Sequence, residues 1–255
     1  MLPRSSAAPR PPRSTRFVVG LAMLAGLAGC PSPGSYGTPR TVPRGRVAHT
    51  LAVEVVHAED VTTKNVPFAR TFPSTPTYVL RAGLWDRGEL GLRLAHLSSL
   101  GADLKWNFLR TYRFDMAIDP GAQIFVTPTS GNAAVTGYVH VPLLFGINVS
   151  RRVSFVPTFG VTVSASSLKA GGESTFAAAT DTGALGRAGL GVNLRVRPTF
   201  ALHPEVTVLR SFDATGRTFV LAGLGVSFGH LPDYDSDDPE IAAERAAAGW
   251  TEPRE

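Results

Sequence analysis

The feature that most constrains this chain is a two-residue alternation of apolar and non-apolar side chains that recurs in ten runs between residues 47 and 229. The runs are 47–57, 77–86, 89–97, 101–110, 113–127, 136–149, 153–165, 183–197, 199–210 and 217–229. Period two is the mark of a strand with two unlike faces, and no stretch of this body keeps the 3.6-residue period of a helix. Turn residues separate the runs, which predicts an all-β, antiparallel, up-and-down barrel of about ten strands, with eight to twelve as the range.

Splitting each run by parity separates two surfaces. One carries Leu80, Leu92, Leu104, Trp106, Val141, Phe159, Leu190, Val192 and Leu224. The other carries Arg81, Glu89, Arg93, Asp103, Lys105, Asp115, Asp119, Arg187, Arg195, His203 and Glu205, interleaved with Gly83, Gly91, Gly189, Gly191, Gly223 and Gly225. A soluble barrel buries its apolar face and a membrane barrel shows it to lipid. Glycine packs nothing on an exposed strand, but inside a small barrel it leaves room for long charged side chains. The polar face is therefore expected inside, with those eleven residues forming a luminal charge network. Pro142, Pro157 and Pro204 fall within runs, and each is expected to cost a ladder hydrogen bond or force a bulge.

Connection lengths point the same way. The links at Asp86-Arg87-Gly88, near Thr111-Tyr112, at Ser150-Arg151-Arg152 and near Pro198 are tight. Those at 58–76 and 165–182 are long and read as mobile surface, and the fifth-to-sixth and ninth-to-tenth links are intermediate. Apart from the short Ser98-Ser99-Leu100 link, this is the alternation of short turns on one side and long loops on the other that outer-membrane barrels show. Trp85, Phe108, Tyr112, Phe114, Phe155, Phe200 and Phe228 gather at the tight-turn end as an interfacial girdle would.

Over residues 47–229 the chain thus resembles the outer-membrane β-barrel proteins of Gram-negative bacteria. Its last run, Leu221 to Phe228, resembles their terminal β-signal, with Gly223, Val226 and Phe228 at matching positions. Leu221 stands where a polar residue is usual, and 27 residues follow Phe228. The resemblance implies recognition by the barrel-assembly machinery.

The flanks carry an address. Arg4, Arg10, Arg13 and Arg16 precede the 13-residue apolar run Phe17 to Gly29, which is too short for a helical membrane span and reads as a signal peptide over 1–29. Leu27-Ala28-Gly29-Cys30 resembles the lipobox of bacterial lipoproteins. That resemblance implies lipoprotein processing, acylation of Cys30 and outer-membrane lipid as a partner. Two or three acyl chains anchor stably where one does not. Residues 30–46, rich in Pro and Gly, are expected to form an extended tether spanning up to ~50 Å at about 3.1 Å per residue. Both barrel ends are expected in the periplasm, the side an anchor at Cys30 calls for. Residues 230–255 form an acidic tail, with a helix expected from Asp238 at its N-cap to Ala248.

Charge and cysteine content remove several classes. The four arginines of the leader account for four of the five net positive charges, and no basic stripe interleaved with aromatics remains for nucleic acid. A single cysteine excludes a disulfide framework. Asp233, Asp235 and Asp237 begin a calcium-loop spacing, but Asp238 replaces the required glycine and Pro239 follows. His49, His57, Glu59 and Asp60 have no diagnostic ligand spacing, and the Gly-x-Gly pairs lie within strands, so no metal or cofactor is expected. No nucleophile motif accompanies His203 and Glu205, which predicts a non-enzymatic barrel lipoprotein with a structural or narrow-channel role. Alternatives are a lipid-anchored soluble periplasmic β-barrel that binds a small or lipidic ligand, and a lipid-modifying enzyme of the outer membrane.

Overall fold

The computed structural model describes residues 34–58, 71–73, 76–95, 99–129, 132–169, 181–212 and 218–232, and residue 247 alone beyond them. The strands are β1 (Val47–Ala58), β2 (Thr71–Pro73), β3 (Thr77–Trp85), β4 (Gly88–Ala95), β5 (Ser99–Arg110), β6 (Phe114–Ile118), β7 (Gly121–Thr129), β8 (Asn132–Asn148), β9 (Val153–Lys169), β10 (Asp181–Arg197), β11 (Phe200–Ser211) and β12 (Thr218–Gly229). Neighbours pair antiparallel throughout, and β12 returns to β1 over a ladder from Ala48↔Gly229 to Ala58↔Phe219. The sheet is therefore closed.

Twelve strands make ten staves. β6 and β7 are one stave interrupted at Asp119-Pro120, since both lie between β5 and β8 and the register is the same on either side of the break. The interruption is bridged by Leu104 N donating to Pro120 O at 2.9 Å and Asp119 N donating to Pro142 O at 3.0 Å. β2 comes from the link expected to be mobile surface and pairs with the upper part of β1, above the stretch of β1 that pairs with β3.

The prolines behave as chemistry demands. The β10–β11 ladder skips the two pairs around Pro204, and the β8–β9 ladder skips two beside Pro157, in both cases without a change of register. Pro142 sits opposite Gly160, where an added Cβ would meet the Pro142 backbone at 2.8 Å. The register shifts fall elsewhere, at Gly83/Trp85, Asn107/Leu109 and Arg195/Arg197, all beside tight turns. Bulges at a barrel rim bend the strand into its turn.

The tight connections 86–87, 111–113, 149–152 and 198–199 share one mouth of the barrel. At the other mouth, β7 and β8 meet in a hairpin whose last pair is Thr129↔Asn132, shorter than the intermediate link expected there. β8, β9 and β10 each run 17 residues, and with β7, which pairs with β8 up to Thr129↔Asn132, they extend beyond the 12-residue strands β1, β5, β11 and β12.

The faces divide as the parity predicts. Leu92, Leu104, Trp106, Val139, Phe159, Leu190 and Val206 are exposed on the outside, while Glu89, Asp103, Lys105, Asn107, Asp115 and Asp119 are buried in the lumen. This is the reverse of a soluble barrel and the arrangement of a membrane-spanning one. Trp85, Phe108, Phe155 and Phe228 are exposed at the tight-turn end, where Phe228 stacks on His49 with ring centroids 5.2 Å apart. Cys30, the leader and the tail beyond Pro232, including all but Ala247 of the expected helix, lie outside the described residues.

Candidate functional site

The lumen contains a feature that the sequence reading places elsewhere. Residues 34–46 are the described part of the stretch 30–46 expected to form an extended tether. In the structure Ser35, Tyr36, Thr38, Arg40, Thr41 and Val42 are buried inside the barrel, Arg40 to 1% exposure. Eight strands enclose just enough space for side chains, and diameter grows with strand number. Ten staves leave room for side chains and one additional length of backbone.

A chain without regular structure can be buried only if its amide and carbonyl groups find partners. Here the wall supplies them. The Glu205 carboxylate accepts hydrogen bonds from Ser35 N (3.1 Å), Tyr36 N (2.9 Å) and Ser35 Oγ (3.0 Å), and also from Thr207 Oγ1 (3.0 Å). Tyr36 has a positive φ of 39°. Consecutive amides turned toward one acceptor in this way form an anion-binding concavity, and the strained residue persists because its surroundings hold it. Tyr36 Oη donates to Glu54 Oε1 at 2.6 Å, and Val42 N donates to Glu89 Oε2 at 2.6 Å.

Cations hold the segment's carbonyls. Arg93 Nη1 donates to Gly34 O at 2.8 Å, and Lys105 Nζ donates to Thr38 O at 2.8 Å. Arg40 reverses the roles: it pairs with Asp115 of the wall at 2.8 Å and donates to Thr111 O at 3.0 Å.

Wall glycines shape the groove in which the segment lies. A Cβ on Gly225 would stand 2.8 Å from Tyr36 Cβ, and one on Gly146 would stand 3.1 Å from Pro39 Cγ. A Cβ on Gly223 or Gly83 would overlap Tyr36 or the Val42-Pro43 backbone. Other luminal glycines do serve neighbouring wall side chains: Gly91 faces Asp103 and Gly121 faces His140.

Nine of the eleven residues assigned to a luminal network fall into three groups, and His203 and Arg195 stand apart from them. Arg81 pairs with Glu89 (2.8 Å), Asp103 (3.1 Å) and Asp119 (3.7 Å), and Lys105 pairs with Glu89 (2.6 Å). Across the lumen Arg187 pairs with Glu205 at 3.4 Å. Asp115 turns to Arg40 and Arg93 reaches Gly34, both in the segment. His203 is buried beside a cavity of about 30 Å³ that is also lined by Asn193, Lys105 and Ser227, a space for roughly two waters. Arg195 departs from the expected set. It sits half-buried at the tight-turn rim and donates to Pro232 O at 2.9 Å and Pro198 O at 3.0 Å.

Sequence reasoning missed Glu54, Arg40 and Tyr36. One signal was available. Among the described residues, six carboxylates on the wall are buried in the lumen (Glu54, Glu89, Asp103, Asp115, Asp119 and Glu205) against four deeply buried wall cations (Arg81, Arg93, Lys105 and Arg187). Buried carboxylates need compensating donors, so the surplus implied a donor from outside the strands. No group of three or more His, Cys, Asp or Glu among the described residues has a metal-holding arrangement.

No family model and no curated protein matches the sequence. Solved structures with a similar course of chain include Ail, the attachment invasion locus protein of Yersinia pestis, at 10% identity and TM-score 0.36 over 73% of this chain and 99% of that one. Neisserial surface protein A matches at 10% identity and TM-score 0.39 over 71% and 96%. The outer membrane protease OmpT from Escherichia coli matches at 7% identity and TM-score 0.40 over 74% and 98%. At these values the likeness adds no argument about activity, and the closed ten-stave barrel stands on the chain's own strand pairing.

Proposed function

We propose that this chain is a non-enzymatic barrel of the Gram-negative outer membrane, further anchored by lipid on Cys30, whose lumen is stoppered by its own amino-terminal segment. Its role is structural: it presents the long-loop mouth at a fixed position in the membrane rather than passing solutes. The apolar outer wall supports the membrane assignment, and the lipobox and terminal β-signal support processing by the lipoprotein and barrel-assembly machineries.

The observation that carries the closed-lumen reading is the burial of Ser35, Tyr36, Thr38, Arg40, Thr41 and Val42 in the lumen, bound by the wall carboxylates Glu54, Glu89, Asp115 and Glu205, with about 30 Å³ left in the cavity beside them. A narrow-channel role would need a continuous hydrated path, and the segment's backbone occupies that position. A lipid-modifying enzyme would need a nucleophile with a base and an orienting acid. Glu205, the acid nearest such an arrangement in the sequence, is bound to the segment and to Arg187.

The test is single-channel recording in planar bilayers. The purified full-length barrel is expected to give no conductance steps, and a variant with 34–42 replaced by Gly and Ser is expected to give them. Heat-modifiable migration of both proteins checks that each is folded. Stable steps from the full-length protein would refute the closed lumen. The membrane assignment has its own check: the Cys30→Ser protein should remain in the membrane fraction after carbonate washing, and its release in soluble form would favour the tethered periplasmic barrel.

A further inference from the structure

The luminal segment has a direction. Arg46 and Gly45 lie at the tight-turn rim, where Gly45 N donates to Gly83 O at 2.9 Å. Thr41 Oγ1 donates to Asp86 O and Arg40 to Thr111 O, and Asp86 and Thr111 both belong to tight turns. Followed back toward the amino terminus, the chain rises. Ser35 and Tyr36 bind Glu205, five residues above Phe200, and Tyr36 reaches Glu54, seven residues above Val47. Gly34 is held by Arg93, two residues below the upper end of β4 at Ala95.

Five to seven residues of tilted strand correspond to a rise of roughly 13–18 Å. At Gly34 the chain is therefore well up the lumen and still heading away from the tight turns. The carboxyl-terminal end does the opposite. Gly229 pairs with Ala48 beside that rim, Leu231 packs with Val42, Ala48 and Ala201, and Pro232 is held by Arg195.

From this geometry we infer that the luminal segment opens at Gly34 toward the long-loop mouth, so that the described chain has Gly34 directed to the long-loop side of the barrel and Pro232 on the tight-turn side. If the lipoprotein reading holds, on which this second step rests, the acyl group of Cys30 enters the leaflet on the long-loop side.

Chain length supplies the reason. Three residues, Pro31 to Pro33, separate Gly34 from Cys30, so the four Cα steps reach at most ~14 Å. Returning to the tight-turn leaflet takes most or all of that length through a lumen already filled by the descending segment. The chain would then still have to clear the rim and pass outside the wall. Upward, the wall beside Arg93 ends within two residues, roughly 5 Å. Short turns face the periplasm in such barrels, so the anchor is on the cell surface, opposite to the side expected from the sequence.

The test uses the full chain in intact cells. Ser32→Cys is expected to react with a membrane-impermeant maleimide at least tenfold faster than Thr251→Cys, which should react only after the outer membrane is permeabilised. Wild type is the blank, and any labelling of it reports Cys30 without an acyl group. If Ser32→Cys is shielded on both sides, an epitope inserted after Pro31 decides between the two faces. Antibody binding to intact cells supports the exit at the long-loop mouth, and binding only after permeabilisation overturns it, as does Ser32→Cys labelling confined to permeabilised cells. Incorporation of a clickable palmitate that is lost in Cys30→Ser reports separately on the lipoprotein reading. Its absence together with surface binding of the epitope antibody would remove the anchor and leave the threaded chain standing.

Discussion

The wall and the segment it encloses are built on opposite rules. Residues 47–229 satisfy their backbone by pairing with one another, so each strand shows two faces and a period of two. Within residues 34–42 the backbone finds its partners in wall side chains, with Ser35 and Tyr36 bound to a carboxylate about 170 positions away. The wall is held by ladders and a lipid-facing apolar surface. The segment is held by buried ions and charge-assisted hydrogen bonds. A Pro- and Gly-rich stretch without periodicity can therefore be the core of a barrel, provided the wall brings donors and acceptors to it.

Glu205 and Val206 are adjacent in β11 and face opposite sides, one to the segment and one outward, so changing each in turn separates the two rules. Glu205→Leu removes the acceptor shared by Ser35, Tyr36 and Arg187. Loss of one partner of a buried pair costs about 3–5 kcal/mol. Urea unfolding in vesicles should show that loss, and bilayer recordings should show new conductance. Unchanged stability and a silent bilayer would contradict the role given to this carboxylate.

Val206→Arg places a charge on the outer wall at the same height. The expected loss is about 2–4 kcal/mol near the bilayer midplane, with no conductance, because the lumen is untouched. Equal stability in lipid vesicles would contradict the assignment of that face to lipid. Tyr36→Phe removes one hydrogen bond to Glu54, and such a bond to a charged group contributes about 1.5–3 kcal/mol. The variant should stay closed to ions while unfolding at lower urea. The smallest effect is expected in the wall itself. Pro204→Val restores a backbone donor where the β10–β11 ladder skips and should raise stability by about 1 kcal/mol. A destabilised variant would mean that the gap is needed for packing.

The same division explains what was legible in the sequence. Parity placed Leu104 and Trp106 outside and Asp103 and Lys105 inside, because a single-residue shift would exchange the faces. Ten runs became ten staves. Strand ends were less legible: β8 and β9 extend beyond their alternating runs as protruding strands, and the break at Asp119-Pro120 was folded into one run. Shared face put Arg81 and Lys105 in one luminal set with Glu89, Asp103 and Asp119, without assigning individual pairs. The partner of Asp115 lies outside that set, because Arg40 belongs to a stretch with no period to place it. The glycine-rich lumen was correctly placed inside but incompletely explained. Gly223 and Gly225 leave space for Tyr36, a residue from outside the body altogether.

The central claim is that residues 34–42 form part of the folded lumen. Hydrogen exchange of the full-length barrel in lipid nanodiscs, read on the peptide covering those residues, tests it most directly. The account predicts that the Ser35, Tyr36 and Val42 amides, bonded to Glu205 and Glu89, exchange as slowly as those of β11 and β12. Exchange of the whole peptide at the rate of an unstructured chain, with the strands still protected, would contradict it.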